Sequence, residues 1–189
     1  GMIGNLDHNM GQLREHLTKL GLADNTILIF MTDNGTAAGG KFQGLDSEPL
    51  VGYNAGMRGK KSSIYDGGHR VPFFIHWPQG DLIVGKDIET LAAHIDVLPT
   101  LADLCGMAVP DDYKPDGVSL KPLLYGNEQT WKRDHLVEQY LGGAYAKAFP
   151  PQPYDYSVVM TERWRLVNSD GEALFDIQAD PAQRSNLAQ

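Results

Sequence analysis

The chain has 189 residues, of which 42% are apolar, and a formal net charge of -8. This length and apolar content suit one domain, or one large part of a bigger one, with a sizeable core. The negative charge argues against a nucleic-acid or anionic-membrane binder. No apolar run reaches the roughly 18 residues of a membrane span, and the single cysteine, Cys105, excludes an internal disulfide.

The first predicted element is an amphipathic helix over residues 2–20 that ends at Gly21. Its apolar residues recur at steps of three and four, which predicts that one stripe packs onto a core; they are Ile3, Leu6, Met10, Leu13, Leu17 and Leu20. Residues 27–31 follow as a short β-branched and aromatic run, typical of a strand that is buried on both faces. A helix that leads into a buried strand predicts an α/β fold.

Residues 36–55 are rich in glycine and polar side chains and predict a long loop at the ligand end of the sheet. Further strands are predicted at residues 71–77 and 89–95. Residues 97–105 predict a short helix that begins after Asp96 as its N-cap.

Cys105 falls on the apolar side of this short helix, which predicts a buried, unreactive thiol. Gly106 follows as the helix stop.

Beyond Gly126 the chain predicts a small antiparallel sheet with a hairpin turn at residues 168–171. Its short strands are residues 136–140, 157–161, 164–167 and 173–176. Three prolines, Pro150, Pro151 and Pro153, mark an irregular connection between them. We therefore predict an α/β part over residues 1–126, with a mixed sheet flanked by helices, and a small antiparallel α+β domain over residues 127–189.

The first predicted strand ends abruptly in Asp33, Asn34 and Gly35. In open α/β sheets, ligands bind beyond the carboxyl ends of the strands. Carboxylate and amide oxygens are also the donors that Ca²⁺ and Mg²⁺ prefer. A plain turn is the competing interpretation, because Asp and Asn tolerate turn geometry and glycine supplies positive φ.

A second segment changes this balance: residues 57–72 read Met-Arg-Gly-Lys-Lys-Ser-Ser-Ile-Tyr-Asp-Gly-Gly-His-Arg-Val-Pro. Together with Asp-Asn-Gly, it resembles the sulfatase family, in particular arylsulfatases. The resemblance implies that Asp33 and Asn34 are ligands of one divalent cation, Ca²⁺ or Mg²⁺. It also implies that Lys61, counted back from the paired glycines, is a catalytic lysine that binds the sulfate group.

The neighbouring residues of this block are interpreted as structural. Asp66 and the two glycines after it are expected to shape the turn that delivers Lys61, and Arg70 to form an internal ion pair or backbone contact. Lys60 is expected to be a solvated loop charge. His69 occupies a position that varies in the family.

The carboxy-terminal segment, Ala-Leu-Phe-Asp-Ile-Gln-Ala-Asp-Pro with Asn-Leu after it, also resembles a sulfatase motif. The resemblance covers nearly the whole chain but only the latter part of a sulfatase. The family's Cys/Ser-x-Pro-x-Arg nucleophile motif, whose first residue becomes formylglycine, does not occur here. Its upstream paired aspartates, lysine and histidine are also missing, so we expect weak metal binding and no hydrolysis by the isolated chain.

Two other interpretations stay open beside a fragment of a sulfuric ester hydrolase. One is a phosphonate or phosphodiester hydrolase of the wider alkaline phosphatase superfamily, although such relatives commonly carry histidine where this chain has Asn34. The other is a noncatalytic partner or binding module. The substrate, an aryl or a carbohydrate sulfate, and the localisation are not assigned; a periplasmic or secreted parent is one option. An exposed sheet edge predicts self-association.

Overall fold

The computed structural model describes residues 1–36, 54–110, 112, 114–140, 154–169 and 171–188. In these ranges the helices and strands are, in chain order, α1 (Met2–Lys19), β1 (Leu28–Met31), α2 (Asp66–His69), β2 (Phe73–His76), α3 (Val97–Leu104), α4 (Lys121–Leu124), β3 (Leu136–Gln139), β4 (Ser157–Met160), β5 (Trp164–Asn168) and β6 (Glu172–Asp176). Short 3₁₀ helices lie at Pro78–Gly80, His94–Asp96 and Glu128–Thr130.

Helix α1 ends where the glycine predicts it. Gly21 has a φ of 68°, in the left-handed region that glycine adopts readily. The N–H of Gly21 donates to the carbonyl of Thr18 (3.0 Å), and the N–H of Leu22 donates to that of Leu17 (2.9 Å). This pair of bonds is a Schellman motif, which satisfies carbonyl groups at the helix end. The predicted helix and its stop are confirmed.

The apolar stripe of α1, in contrast, does not pack on a core. No residue of α1 is buried, and Ile3, Leu6 and Leu13 are exposed to solvent. The prediction that this stripe covers a core is therefore wrong for the part of the chain that the structure describes. Periodicity reported the apolar face correctly, but it carries no information about what lies opposite that face.

Strands β1 and β2 form a two-stranded antiparallel sheet, in which Leu28 pairs with His76 and Met31 with Phe73. Phe73 and Ile75 are half-buried, whereas Phe74 on the other face is 63% exposed. All of β1 is half-buried, so the prediction of a strand buried on both faces is wrong here. The physical reason is that only one face of this sheet packs against a described apolar cluster.

That cluster has four buried leucines at its centre, Leu82, Leu120, Leu123 and Leu124. The half-buried side chains around it come from β2, from α3, from the segment between them and from the residue after the 3₁₀ helix Glu128–Thr130; they are Phe73, Ile75, Trp77, Ile88, Leu104 and Trp131. The strand predicted at residues 89–95 does not form. Its residues run without a pairing partner into the 3₁₀ helix His94–Asp96, and Leu91 packs against a different cluster.

Helix α3 confirms the prediction for residues 97–105, but two details differ. Asp96 occupies the N-cap position, yet its carboxylate makes no capping bond to α3 and instead pairs with Arg133 at 2.6 and 2.8 Å. Cys105 is exposed, which corrects the predicted buried thiol. Thr100 and Ala102 are the buried residues of the helix. Cys105 is its C-cap, and the chain leaves the helix direction at Gly106, whose φ is 62°.

The four remaining strands form one antiparallel sheet in the order β3-β4-β5-β6, which confirms the predicted strands to within one residue at each end. Its inward face supplies Val158, Met160, Val167 and Phe175 to a second buried cluster. Ile64, which lies far upstream in the sequence, completes this cluster. The segment before α2 therefore packs directly on the C-terminal sheet.

A mixed α/β fold with helices and two antiparallel sheets confirms the predicted fold class. The division at residue 126 stays a prediction. Most of the loop predicted at residues 36–55 and the Pro150, Pro151 and Pro153 connection lie outside the described residues, as does Asp170 in the predicted hairpin turn. Within the described ranges, no helix is long and apolar enough to cross a membrane.

Candidate functional site

The first part of the site is the turn at residues 32–36, called here the Asp33 turn. It follows β1 directly, so the end of this strand sets the position of the turn. Asp33 is exposed and Asn34 is half-buried. The hydroxyl of Thr32 donates to the Asn34 carbonyl (3.3 Å), and His94 Nε2 lies 2.8 Å from the Thr32 carbonyl oxygen. The 3₁₀ helix before α3 thus contacts the end of β1.

The second part is the segment of residues 57–68, called here the Lys61 turn. Lys61 is exposed, and its backbone N–H donates to the carbonyl of Thr36 (2.9 Å). Gly59 has a φ of 86° and Ser62 a φ of 71°, so two left-handed residues flank the lysine. The amide of Asn54 donates to the carbonyls of Met57 (3.1 Å) and Gly59 (3.0 Å), which closes the start of the segment.

A second backbone bond joins the two turns: the N–H of Gly35 donates to the carbonyl of Gly68 (2.8 Å). The approach is so close that a Cβ added to Gly35 would lie 1.8 Å from the Gly67 carbonyl oxygen. Glycine is therefore required at position 35 because the opposing backbone occupies the space of a side chain. The structure brings the segments of Asp33, Asn34 and Lys61 together, although Lys61 lies 26 positions after Gly35 in the sequence.

The turn after Lys61 rests on a buried ion pair. The Asp66 carboxylate is buried and accepts from Arg165 Nε (2.9 Å) and Nη2 (3.3 Å), and Arg70 Nη1 lies 3.8 Å from it. The structural interpretation of Asp66 and the ion pair predicted for Arg70 agree with these contacts. Arg70 remains largely exposed, so this longer contact contributes little to stability.

His69 lies in the same cluster, between two carboxylates. Its Nδ1 is 2.8 Å from Glu138 Oε2 and its Nε2 is 3.5 Å from Asp66 Oδ1. Both ring nitrogens are buried, and among the described residues neither makes an aligned hydrogen bond. These are ion-pair distances without hydrogen-bond geometry, so His69 serves as a charged contact only when it is protonated.

Two residues of this cluster were not singled out by the sequence: Arg165 and Gln183, whose Oε1 accepts from the backbone N–H of Asp66 (3.0 Å). The strand pattern offered a signal for Arg165, because Arg165 lies on the same, buried face of β5 as Val167. A charged residue at an inward position of a strand indicates a buried partner. Gln183 carries no comparable signal, because it lies in an irregular segment after β6.

The described residues include no group of three or more histidines, cysteines, aspartates and glutamates that could hold a metal ion. Asp33 offers a carboxylate and Asn34 an amide oxygen. Both are suitable donors for a hard cation, but two residues are few for such a site. Asp33 is exposed with respect to the described part of the chain. The turn fits one part of an oxygen-lined cation site.

Comparison with known proteins identifies the family. The model described as Sulfatase matches residues 1–107, and the one described as N-sulphoglucosamine sulphohydrolase, C-terminal, matches residues 57–189. The chain belongs to the sulfatase family, as its sequence motifs indicated.

Individual relatives agree with this assignment. The chain is 31% identical to steryl-sulfatase from Rattus norvegicus and 33% identical to N-acetylgalactosamine-6-O-sulfatase from Bacteroides thetaiotaomicron. These alignments cover 96% and 97% of the chain, which spans 35% and 37% of the length of the two relatives.

Its fold is also similar to phosphonate monoester hydrolase of Agrobacterium radiobacter, with a TM-score of 0.70 and 28% identity. That match covers 100% of this chain and 36% of the hydrolase.

Proposed function

We propose that this chain supplies part of the active site of a sulfuric ester hydrolase, with Asp33 and Asn34 as metal ligands and Lys61 as the residue that binds sulfate. The observation that supports this assignment is the pair of backbone hydrogen bonds between the Asp33 turn and the Lys61 turn, Gly35 to Gly68 and Lys61 to Thr36. These bonds join two motifs that are remote in sequence.

The cation in this proposal is Ca²⁺ or Mg²⁺. Bound at the site, it would stabilise negative charge on the oxygens of a sulfate group. Ca²⁺ takes about 6 to 8 oxygen ligands, and this chain would provide two residues toward that number. We therefore expect the chain alone to bind calcium weakly.

Lys61 has the chemistry that recognition of a sulfate requires. Its ammonium group is a compact positive charge on a flexible stem, able to donate to several oxygens of a tetrahedral anion. The backbone bond of Lys61 to Thr36 fixes the start of this side chain beside the Asp33 turn, and the exposed side chain is free to reach a ligand there.

The substrate class in this proposal is a sulfate ester of an aryl or carbohydrate alcohol. The names of the relatives include a steryl and an N-acetylgalactosamine sulfatase, which differ in the alcohol. The chain lacks the Cys/Ser-x-Pro-x-Arg motif, and formylglycine is expected in a parent protein. We therefore expect no turnover of an aryl sulfate by the rigorously purified chain; measurable turnover would refute this part.

Calorimetric titration with calcium tests the metal site. Asp33→Ala should abolish the binding heat, because the carboxylate is the charged ligand of the pair. Asp7→Ala is the matched control: it removes an exposed carboxylate from α1 and should leave binding unchanged. Equal calcium affinity in wild type and Asp33→Ala would contradict the assignment.

A phosphonate monoester hydrolase is the second candidate, and the fold similarity to the Agrobacterium radiobacter enzyme favours it. Sulfate and phosphonate groups are both tetrahedral anions, so Lys61 suits either. In a parent protein that carries the nucleophile, turnover of a phosphonate monoester without turnover of an aryl sulfate would favour this candidate. A noncatalytic binding module is the third; an in-frame nucleophile motif upstream of residue 2 would exclude it.

Self-association through a sheet edge is a separate proposal. In the described part of the chain, β1 pairs only with β2, so each strand leaves one edge unpaired. Unpaired edges are templates for a strand of another copy. Light scattering across a concentration series should show a mass that rises with concentration, and a constant monomer mass would exclude association.

A further inference from the structure

An arginine of the C-terminal sheet holds the Lys61 turn through several hydrogen bonds of its guanidinium group. Arg165 lies on β5, and its side chain is 6% exposed. Its Nε and Nη2 donate to the two oxygens of Asp66, while Nη1 donates to the carbonyls of Thr161 and Trp164. A guanidinium held at both ends by hydrogen bonds cannot rotate freely. Arg165 therefore places the Asp66 carboxylate relative to β5.

Gln183 provides a second, independent attachment. Its residue is completely buried, and its Oε1 accepts a hydrogen bond from the backbone N–H of Asp66 (3.0 Å). Its carbonyl accepts from Arg58 Nη1 (3.0 Å). The guanidinium of Arg58 also lies 3.9 Å from the centre of the Tyr65 ring. Gln183 thus contacts both ends of the segment from Arg58 to Asp66.

Two features of Gln183 are unfavourable by themselves. Its φ is 50°, in the left-handed region that side chains disfavour, and its buried Nε2 has no hydrogen-bond partner among the described residues. Such features persist when the surrounding contacts over-determine a residue, and they concentrate near functional sites. At Gln183, the contacts in question are its hydrogen bonds with Asp66 and Arg58.

The attachment continues to the Asp33 turn through the backbone. The N–H of Gly67 donates to the Arg58 carbonyl (2.7 Å), and the Gly68 carbonyl accepts from Gly35 (2.8 Å). Asp66 immediately precedes these two glycines. A shift of Asp66 would therefore move the carbonyl that holds Gly35, one residue away from Asn34.

We propose that Arg165 and Gln183 are positioning residues of the site: they hold the Lys61 turn against the Asp33 turn, without contacting a ligand. This proposal rests on the proposed function only for the identity of the ligands, a divalent cation and a sulfate group. It assigns to Arg165 on the C-terminal sheet, and to Gln183 in the segment after that sheet, a role in the geometry of Asp33 and Lys61, which lie more than 100 positions upstream of both.

Amide hydrogen exchange, followed by NMR on the full chain, tests this proposal without requiring activity. The informative amides are those of Gly35 and Lys61, which bridge the two turns. Gln183→Met removes the acceptor for Asp66 at similar volume, and Arg165→Met removes the ion pair. Arg163→Met is the matched control, because it removes an exposed arginine two positions away whose ion pair is with Asp176.

We expect exchange at Gly35 and Lys61 to accelerate roughly tenfold in Gln183→Met, the change produced by loss of about one hydrogen bond. The amides of β4 and β5 should keep their rates, and Arg163→Met should leave Gly35 unchanged. Unchanged rates at Gly35 and Lys61, or an equal acceleration throughout β4 and β5, would overturn the positioning role. If Arg165→Met does not fold, Gln183→Met decides alone.

A calcium titration of Gln183→Met distinguishes this proposal from the proposed function. With calcium binding present in wild type, we expect at least threefold weaker binding in the variant. If wild type binds no calcium, the metal assignment fails, while the exchange rates still decide the positioning role.

Discussion

The two ends of the chain use their apolar residues differently. In the C-terminal sheet, Val158, Val167 and Phe175 are almost completely buried. In α1 and the β1–β2 sheet, Ile3, Leu6 and Phe74 are exposed. Stabilisation follows the apolar area removed from water, not the apolar content of a segment. The C-terminal sheet therefore gains more stabilisation from apolar burial than α1 or the exposed face of the β1–β2 sheet, and the Lys61 turn packs on it through Ile64.

The largest effect on the free energy of unfolding is expected at a phenylalanine of the C-terminal sheet, compared with a phenylalanine of the β1–β2 sheet. Phe175→Ala should lower the free energy of unfolding by about 3–5 kcal/mol, because it leaves a cavity in the C-terminal cluster. Phe74→Ala should lower it by less than about 1 kcal/mol, because this side chain is mostly exposed already. Chemical denaturation measures both. Equal losses would show that the two regions do not differ in packing.

A smaller effect is expected at the junction of the two turns. Gly35→Ala places a methyl group where the Gly67 carbonyl lies, so we expect a loss of about 1–3 kcal/mol in unfolding free energy and weaker calcium binding. Gly11→Ala is the control, because a Cβ at that position in α1 meets no atom within 4 Å. It should stabilise by about 0.5–1 kcal/mol. A neutral Gly35→Ala would contradict the close contact.

The smallest effect is expected from an ion pair at the edge of the C-terminal sheet. Arg163 donates to Asp176 Oδ2 at 2.6 and 3.0 Å. This hydrogen bond holds the pKa of Asp176 below its ordinary value, against the opposing effect of burial. Because the folded-state pKa is lowered, the stabilisation is present above the unfolded pKa of about 3.9 and is lost as pH falls through the folded-state value.

We therefore expect Arg163→Met to be less stable than wild type at pH 7, with a difference that shrinks as the pH is lowered toward about 3. Unfolding free energies over this pH range give the measurement. Arg14→Met, which removes an exposed arginine from α1, controls for net charge. A difference that grows on acidification would have the wrong sign.

Much of the fold was predictable because the signals are local. Helix α1, its Gly21 stop and the four C-terminal strands follow from periodicity and turn residues. The failures share one cause. Whether the α1 stripe, β1 or Cys105 is buried depends on what lies opposite. Among the described residues, no strand pairs with residues 89–95.

The sequence by itself determined the family, through Asp33-Asn34-Gly35 and the block that contains Lys61, because these residue types and spacings are specific in combination. Only the tertiary structure decided how the two motifs meet and what supports them. The contacts Gly35 to Gly68, Asp66 to Arg165 and Asp66 to Gln183 join residues that are remote along the chain. Neither propensity nor periodicity reports such contacts, because they depend on how separate elements pack in space.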